Sequence, residues 1–315
     1  MPLPTLRQGS IHLFRIAGID LYLHWSWFVV AAIELESRIG RGRYTALSWY
    51  VLEYLSLFVI VLMHEFGHAL ACRQVGGTAN QIMLWPLGGV AYVSPPQRPG
   101  ATLWSIAAGP LVNVTLLPLL YAAGMMARSF RHTMPDAFMF INVVFFINLI
   151  LLLFNILPVY PLDGGQILRS LLWFVLGRAR SLMVATILGL VGIAGFICFA
   201  LWRGSFWLGA IAVFMLMNCW GGLQQARALL RIARLPRREG FACPSCRTSP
   251  PVGDYWKCSK CETSFDTFAS QGVCPNCSAQ FAKTGCLDCR AKNPISDWAV
   301  PHYAGTLASS NTQVN

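Results

Sequence analysis

Charge is scarce in this chain. Only 12% of its 315 residues are Asp, Glu, Lys or Arg, against about 25% in an ordinary soluble domain. Acids are the scarcer half, 13 against 24 Lys and Arg. With 55% hydrophobic residues, this shortage argues against a simple soluble globule and predicts an integral membrane protein. The formal net charge of +11 then reads as arginine in cytoplasmic loops, not as a nucleic-acid surface. A cleavable signal is also missing. The first apolar run, 21–35, contains His24 and has no small-residue cleavage site after it, so it predicts an uncleaved first span. The membrane part has no long-period repeat and little cysteine: eight of the 11 cysteines fall between Cys243 and Cys289. Cys72, Cys198 and Cys219 read as small apolar residues in helices.

What is present is a series of long apolar runs. They predict an all-α polytopic membrane protein of about six transmembrane helices, roughly 21–37, 47–72, 101–126, 137–157, 182–202 and 206–230. Residues 80–94 differ. Two short apolar runs flank Pro86-Leu87-Gly88-Gly89, a hairpin signal too short to span. The expectation is a β-hairpin dipping into the membrane beside the second span. Three segments follow: 1–238 as the membrane domain, 239–298 as a small Cys-rich domain, and 299–315 as a disordered tail. Arg227, Arg231, Arg234, Arg237 and Arg238 mark the end of the last span as cytoplasmic. An even number of spans returns the N-terminus to that side. Arg38, Arg41 and Arg43, in the first outer loop, argue weakly the other way.

The second span carries His64-Glu65-Phe66-Gly67-His68. H-E-x-x-H on a helix sets two imidazoles one turn apart, with a carboxylate beside the first. Two neutral nitrogens suit Zn²⁺, and Glu65 is left free to take a proton from water. A catalytic zinc wants a third protein ligand. Asp163 is the best candidate. Pro158 and Pro161 stop the fourth apolar helix, and Gly164 and Gly165 let backbone pack closely behind the carboxylate. A plain surface turn is the competing reading of Pro-Leu-Asp-Gly-Gly. Glu34 and Glu53 belong near the opposite face.

HEFGH in one span, AGPLVN in the next and NILPVYPLDGG after it resemble, in order and spacing, the site-2 protease family of intramembrane zinc metalloproteases. The resemblance covers roughly residues 12–230. It implies His64, His68 and Asp163 as ligands of one catalytic zinc and Glu65 as general base and acid. It also implies a place near substrate or transition state for Asn155. The substrate class it implies is a transmembrane segment of another membrane protein; a helix hides its carbonyls in its own hydrogen bonds, so such a segment must unwind before cleavage. The hairpin, with Ile82, Gly88, Gly89 and Val90, is expected to offer an edge strand to that segment. His24 reads equally as a polar cap of the first span or as a group supporting the site from behind. Asn113 reads first as a helix-packing, hydrogen-bonding residue, with such a supporting role as the alternative.

The tail holds four C-x-x-C pairs, Cys243/Cys246, Cys258/Cys261, Cys274/Cys277 and Cys286/Cys289. They resemble a double zinc ribbon with two structural Zn²⁺ ions. Pairing in sequential order is the expectation, with interleaved pairing as the alternative. Closed Cys₄ sites bind rather than catalyse, so a protein partner is expected there. The chain as a whole therefore reads as an intramembrane zinc endopeptidase in a lipid bilayer with both termini cytoplasmic. The rival is a catalytically silent relative that acts as an adaptor through its ribbons.

Overall fold

A computed structural model describes residues 9–39, 42–85 and 88–300. The chain divides into two compact units, residues 1–223 and 224–315.

The first unit begins with strands β1 (Ser10–Ile16) and β2 (Ile19–His24), followed by helices α1 (Ser26–Ile39) and α2 (Leu47–Gln74). Strands β3 (Thr78–Trp85) and β4 (Gly88–Ser94) come next, then α3 (Pro99–Ala127), α4 (Pro135–Ile156), α5 (Asp163–Arg203) and α6 (Phe206–Ala233). Among the described residues, five helices are long and apolar enough to cross a membrane: α2, α3 with the short turn after it, α4, α5 and α6. Their burial is inverted relative to a soluble protein. On α2, Glu53, His64, Glu65 and His68 are buried, while Leu52, Leu55, Val59, Met63 and Leu70 are exposed. An apolar solvent favours this arrangement, because polar groups are satisfied inside and aliphatic ones face lipid.

The first expected span is not one helix. Residues 19–24 are strand, and α1 has 14 residues, about 21 Å against a hydrocarbon core of ~30 Å. Arg73, in the last turn of α2, donates to the carbonyls of Ala17 and Gly18. The start of β2 is therefore level with the end of α2. From there the chain runs back along α2, where the Tyr54 hydroxyl donates to the Trp27 carbonyl at 3.0 Å, near the start of α1. Alternation explains the strand: Ile19, Leu21 and Leu23 are buried and the residues between them are less so, the period-2 pattern of a half-buried strand.

The expected hairpin is half of a larger sheet of order β1-β2-β3-β4. β2 and β3 run parallel, with Leu21 opposite Ile82, and the two outer pairs are antiparallel. Ile19, Leu21, Ile82 and Leu84 pack with Val61, Ala69 and Cys72 of α2. The sequence of 80–94 shows only local pairing; the β2 partner lies about sixty residues upstream and is invisible to turn chemistry.

The fourth run breaks as expected. α4 ends at Ile156 and Asp163 begins α5. α5 is two helices meeting at Gly177, whose φ of 74° and ψ of 169° lie where only glycine is comfortable. The chain reverses there, since Gly189 and Gly192 of the second half pack on Tyr160 and Val159.

The second unit is a small β domain with two-stranded sheets β5 (Trp256–Lys257) with β6 (Ser264–Phe265), and β7 (Lys283–Gly285) with β8 (Lys292–Pro294). Trp256, Phe268 and Trp298 form its apolar centre with Cys243, Cys286 and Cys289. Ala299 and Val300 belong to the fold: Phe241 bridges Ala299, and the Val300 N–H donates to the Gly240 carbonyl at 3.0 Å. The rest of the tail expected to be disordered lies outside the described residues, as do Pro86 and Leu87.

Candidate metal centre

His64 and His68 share the buried face of α2, and their Nε2 atoms are 3.1 Å apart. Asp163 opens α5 and brings Oδ2 to 3.0 Å from His64 Nε2 and 3.4 Å from His68 Nε2. The other ring nitrogens point away. His68 Nδ1 lies 2.9 Å from the Ser105 main-chain oxygen, and His64 Nδ1 lies 2.6 Å from Asn113 Oδ1. A carbonyl oxygen only accepts, so His68 carries its proton on Nδ1 and aims a lone pair inward. The Asn113 oxygen asks the same of His64. Three acceptors thus face one another in a buried place, which is unfavourable unless a cation joins them. Nitrogen and oxygen ligands about 2.0–2.1 Å from a tetrahedral Zn²⁺ stand about 3.3–3.4 Å apart. Chemistry and spacing of this donor set both fit zinc.

α3 forms the back of the centre. Ser105, Gly109 and Asn113 are four residues apart and buried, so they line one face of the helix. A Cβ on Gly109 would stand 2.8 Å from His64 Nε2 and closer still to His68 Nε2. Asn113 also meets Asn148 of α4, Nδ2 to Oδ1, at 2.7 Å. Ser105, Gly109 and Asn148 went unassigned in the sequence. The i, i+4, i+8 spacing on α3 was a signal that could have found the first two.

Glu65 is buried beside β4. Its Oε2 accepts the Ala91 N–H at 2.8 Å, and a Cβ on Gly89 would come within 2.6 Å of its Cδ and Oε1. The second glycine of the hairpin therefore has a spatial reason: Gly89 lets strand backbone approach the carboxylate.

The remaining expected residues are placed as follows. Ile82 is fully buried in β3, paired with Leu21 on one side and Ala91 on the other, so it has no edge to offer. Gly88, Gly89 and Val90 are on β4, an outer strand of the sheet. Asn155 is half-buried in the last turn of α4, and its side chain makes no hydrogen bond among the described residues. His24 bonds Ser26 Oγ at 2.5 Å, accepts the Ser26 N–H at 3.3 Å, and stacks on Trp85 with ring centroids 4.1 Å apart. It caps α1, and no described contact carries it to the ligands.

In the second unit the cysteines gather as Cys243, Cys246, Cys286 and Cys289, and as Cys258, Cys261, Cys274 and Cys277. The pairing is nested, neither sequential nor interleaved. The ends of the unit are tied antiparallel, with the Ala242 N–H on the Trp298 carbonyl at 2.8 Å, and this brings the first pair against the fourth. All four pairs share one geometry. The N–H after the second Cys returns to the carbonyl of the first in each (Arg247 to Cys243, Glu262 to Cys258, Ser278 to Cys274, Arg290 to Cys286). Those four residues have φ between 58° and 64°. Sulfur–sulfur distances across the sets are 3.5–3.7 Å, close to the ~3.8 Å edge of a tetrahedral Zn²⁺–thiolate site. This unit is a zinc ribbon with two closed donor sets.

A helical membrane unit with a buried two-histidine, one-carboxylate centre and a glutamate beside it defines the class of membrane-embedded zincin-type proteins. Comparison with known proteins narrows this. The pattern of peptidase family M50 matches residues 53–135 and 125–199. A zinc metalloprotease of Methanocaldococcus jannaschii is 31% identical over 57% of this chain and 50% of its own length. Rip3 of Mycobacterium tuberculosis is 32% identical over 66% of this chain and 57% of its own. The chain thus spans little more than half of these relatives. A solved structure, the site-2 protease from Methanocaldococcus jannaschii, aligns with a TM-score of 0.52 at 26% identity, covering 68% of this chain and 95% of that one. Residues 53–199, within the membrane part, thus carry the pattern of peptidase family M50, and the chain is similar there to zinc metalloproteases and to a site-2 protease.

Proposed function

We propose that the membrane unit is an intramembrane zinc endopeptidase cleaving a transmembrane segment of another membrane protein. One observation carries the reading: three buried acceptors, His64 Nε2, His68 Nε2 and Asp163 Oδ2, converge within 3.4 Å of one another, one residue along α2 from a buried glutamate. A Zn²⁺ ion in this donor set supplies Lewis acidity, acidifying water and polarising a carbonyl. Glu65 accepts a proton from water and returns it to the leaving amine. Asn155, by the family resemblance, donates to the oxyanion that develops on the scissile carbonyl. The outer edge of β4 receives the unwound substrate as an added strand. The ribbons hold two further zinc ions and bind a protein partner. Arg227, Arg231 and Arg234 are exposed near the end of α6, which supports a cytoplasmic C-terminal unit. The first pass, running from Gly18 beside Arg73, supports an N-terminus on the same side.

The test is cleavage of a single-span substrate in proteoliposomes by wild type and Glu65→Gln. Wild type is expected to cleave, and the variant to lose cleavage while keeping its zinc. Equal cleavage by both overturns the proposal and favours the adaptor.

A further inference from the structure

Asn148 is fully buried in α4, an apolar helix whose inner face needs no polar group for packing. A buried amide is costly unless its bonds are made. Both are made, and their directions are set. Asn148 Nδ2 donates to the Asn113 main-chain oxygen at 3.0 Å. A main-chain oxygen can only accept, so the Asn148 amide has one orientation. Its Oδ1 must then face Asn113 Nδ2, 2.7 Å away. With its NH₂ taken, the Asn113 amide turns its oxygen to His64 Nδ1 at 2.6 Å. Oxygen at that place puts the ring proton on Nδ1 and leaves the lone pair on Nε2, the atom that meets His68 and Asp163. The reverse orientation of Asn113 would set an NH₂ against Nδ1, drive the proton to Nε2 and remove the donor pair.

We infer that Asn148 is a positioning residue for the metal centre: through Asn113 it selects the tautomer of His64 that presents Nε2 to the metal. The inference rests on the zinc reading of His64, His68 and Asp163. It makes α4 a contributor to a centre whose ligands come from α2 and α5.

The experiment uses the full chain in detergent micelles, labelled with ¹⁵N-histidine and loaded with zinc, with His64 assigned by difference from His64→Ala. Nitrogen shifts report which ring atom is protonated. Wild type is expected to show the Nδ1–H form. Asn148→Leu is expected to shift His64 toward the Nε2–H form. Zinc affinity of the membrane centre, measured by chelator competition, should fall about 10–100-fold. Asn148→Asp keeps an acceptor toward Asn113 Nδ2 in either protonation state, and should retain the tautomer and recover most of the affinity. An Nε2–H His64 in wild type overturns the relay whether or not the leucine variant folds. Unchanged tautomer and affinity in Asn148→Leu overturns it as well. A wild type that binds zinc in its ribbons and none at His64 overturns instead the metal reading beneath it.

Discussion

Gly109 shows how little room the centre leaves. A single methyl there meets both Nε2 atoms, and both lie in a helix pair that cannot easily part. Gly109→Ala is therefore expected to cost the membrane centre its metal while sparing the ribbons. Zinc stoichiometry of the purified chain should drop by one ion, and cleavage should fall with it. Glycine is the residue most easily passed over in a sequence, since what it contributes is an absence. Here Ala108-Gly109-Pro110-Leu111-Val112-Asn113 stood out as a motif, but nothing in it says that the second residue faces two imidazoles and the last faces His64.

At the scale of elements, the break before α5 carries Asp163, and the break is itself held. Val159 and Tyr160 sit against Gly189 and Gly192 of α5 and Gly222 of α6. A Cβ on Gly192 would come within 2.5 Å of Val159 Cγ2. Gly192→Ala should displace the loop, weakening zinc binding at the membrane centre and cleavage together. Val159→Ala in the same chain removes the colliding methyl and should restore both, which a general loss of helix packing would not allow. The sheet gives a second prediction. The Ala91 N–H faces Glu65 and not β3, so the Val93 N–H, two residues on, faces the same open edge. Val93→Pro removes that donor, a change edge strands tolerate. Cleavage should drop while zinc content stays at three ions per chain in the proposed count. Proline at Val90, one residue out of phase, would instead cut the β3–β4 ladder, and at Ile82 it would break a central strand.

At the scale of the molecule, the nested cysteine sets make a prediction that sequential pairing does not. Cys243→Ser with Cys289→Ser removes ligands of one ion; Cys243→Ser with Cys258→Ser removes ligands of both. Zinc content should fall by one ion in the first double variant and by two in the second. Sequential pairing reverses the order. Arg237 and Arg238 also change meaning. Arg237 forks onto Asp288 at 2.7 and 3.2 Å and reaches the Ile232 carbonyl at 2.9 Å, and Arg238 pairs with Asp266 at 2.5 Å. They are spent inside the ribbon unit, so the positive-inside argument for the proposed orientation of α6 rests on Arg227, Arg231 and Arg234.

Much of this was legible one residue at a time. Scarce charge and long apolar runs determined a membrane protein, His64 to His68 set two imidazoles and a carboxylate on one stretch of helix, and four C-x-x-C pairs determined two Cys₄ sets. Each follows from composition or from helical spacing over a few residues, where the chain itself fixes distance. The broken helix at Pro158–Leu162 was legible for the same reason, since proline and glycine act locally. What only the tertiary structure decided lies across long separations. β2 pairs with β3, Asn148 meets Asn113, Gly109 faces two histidines, and the first cysteine pair joins the fourth. No local propensity encodes these meetings. They are set by which helices pack side by side and by where the ends of a domain close, and at the metal centre they turn two histidines into aimed lone pairs.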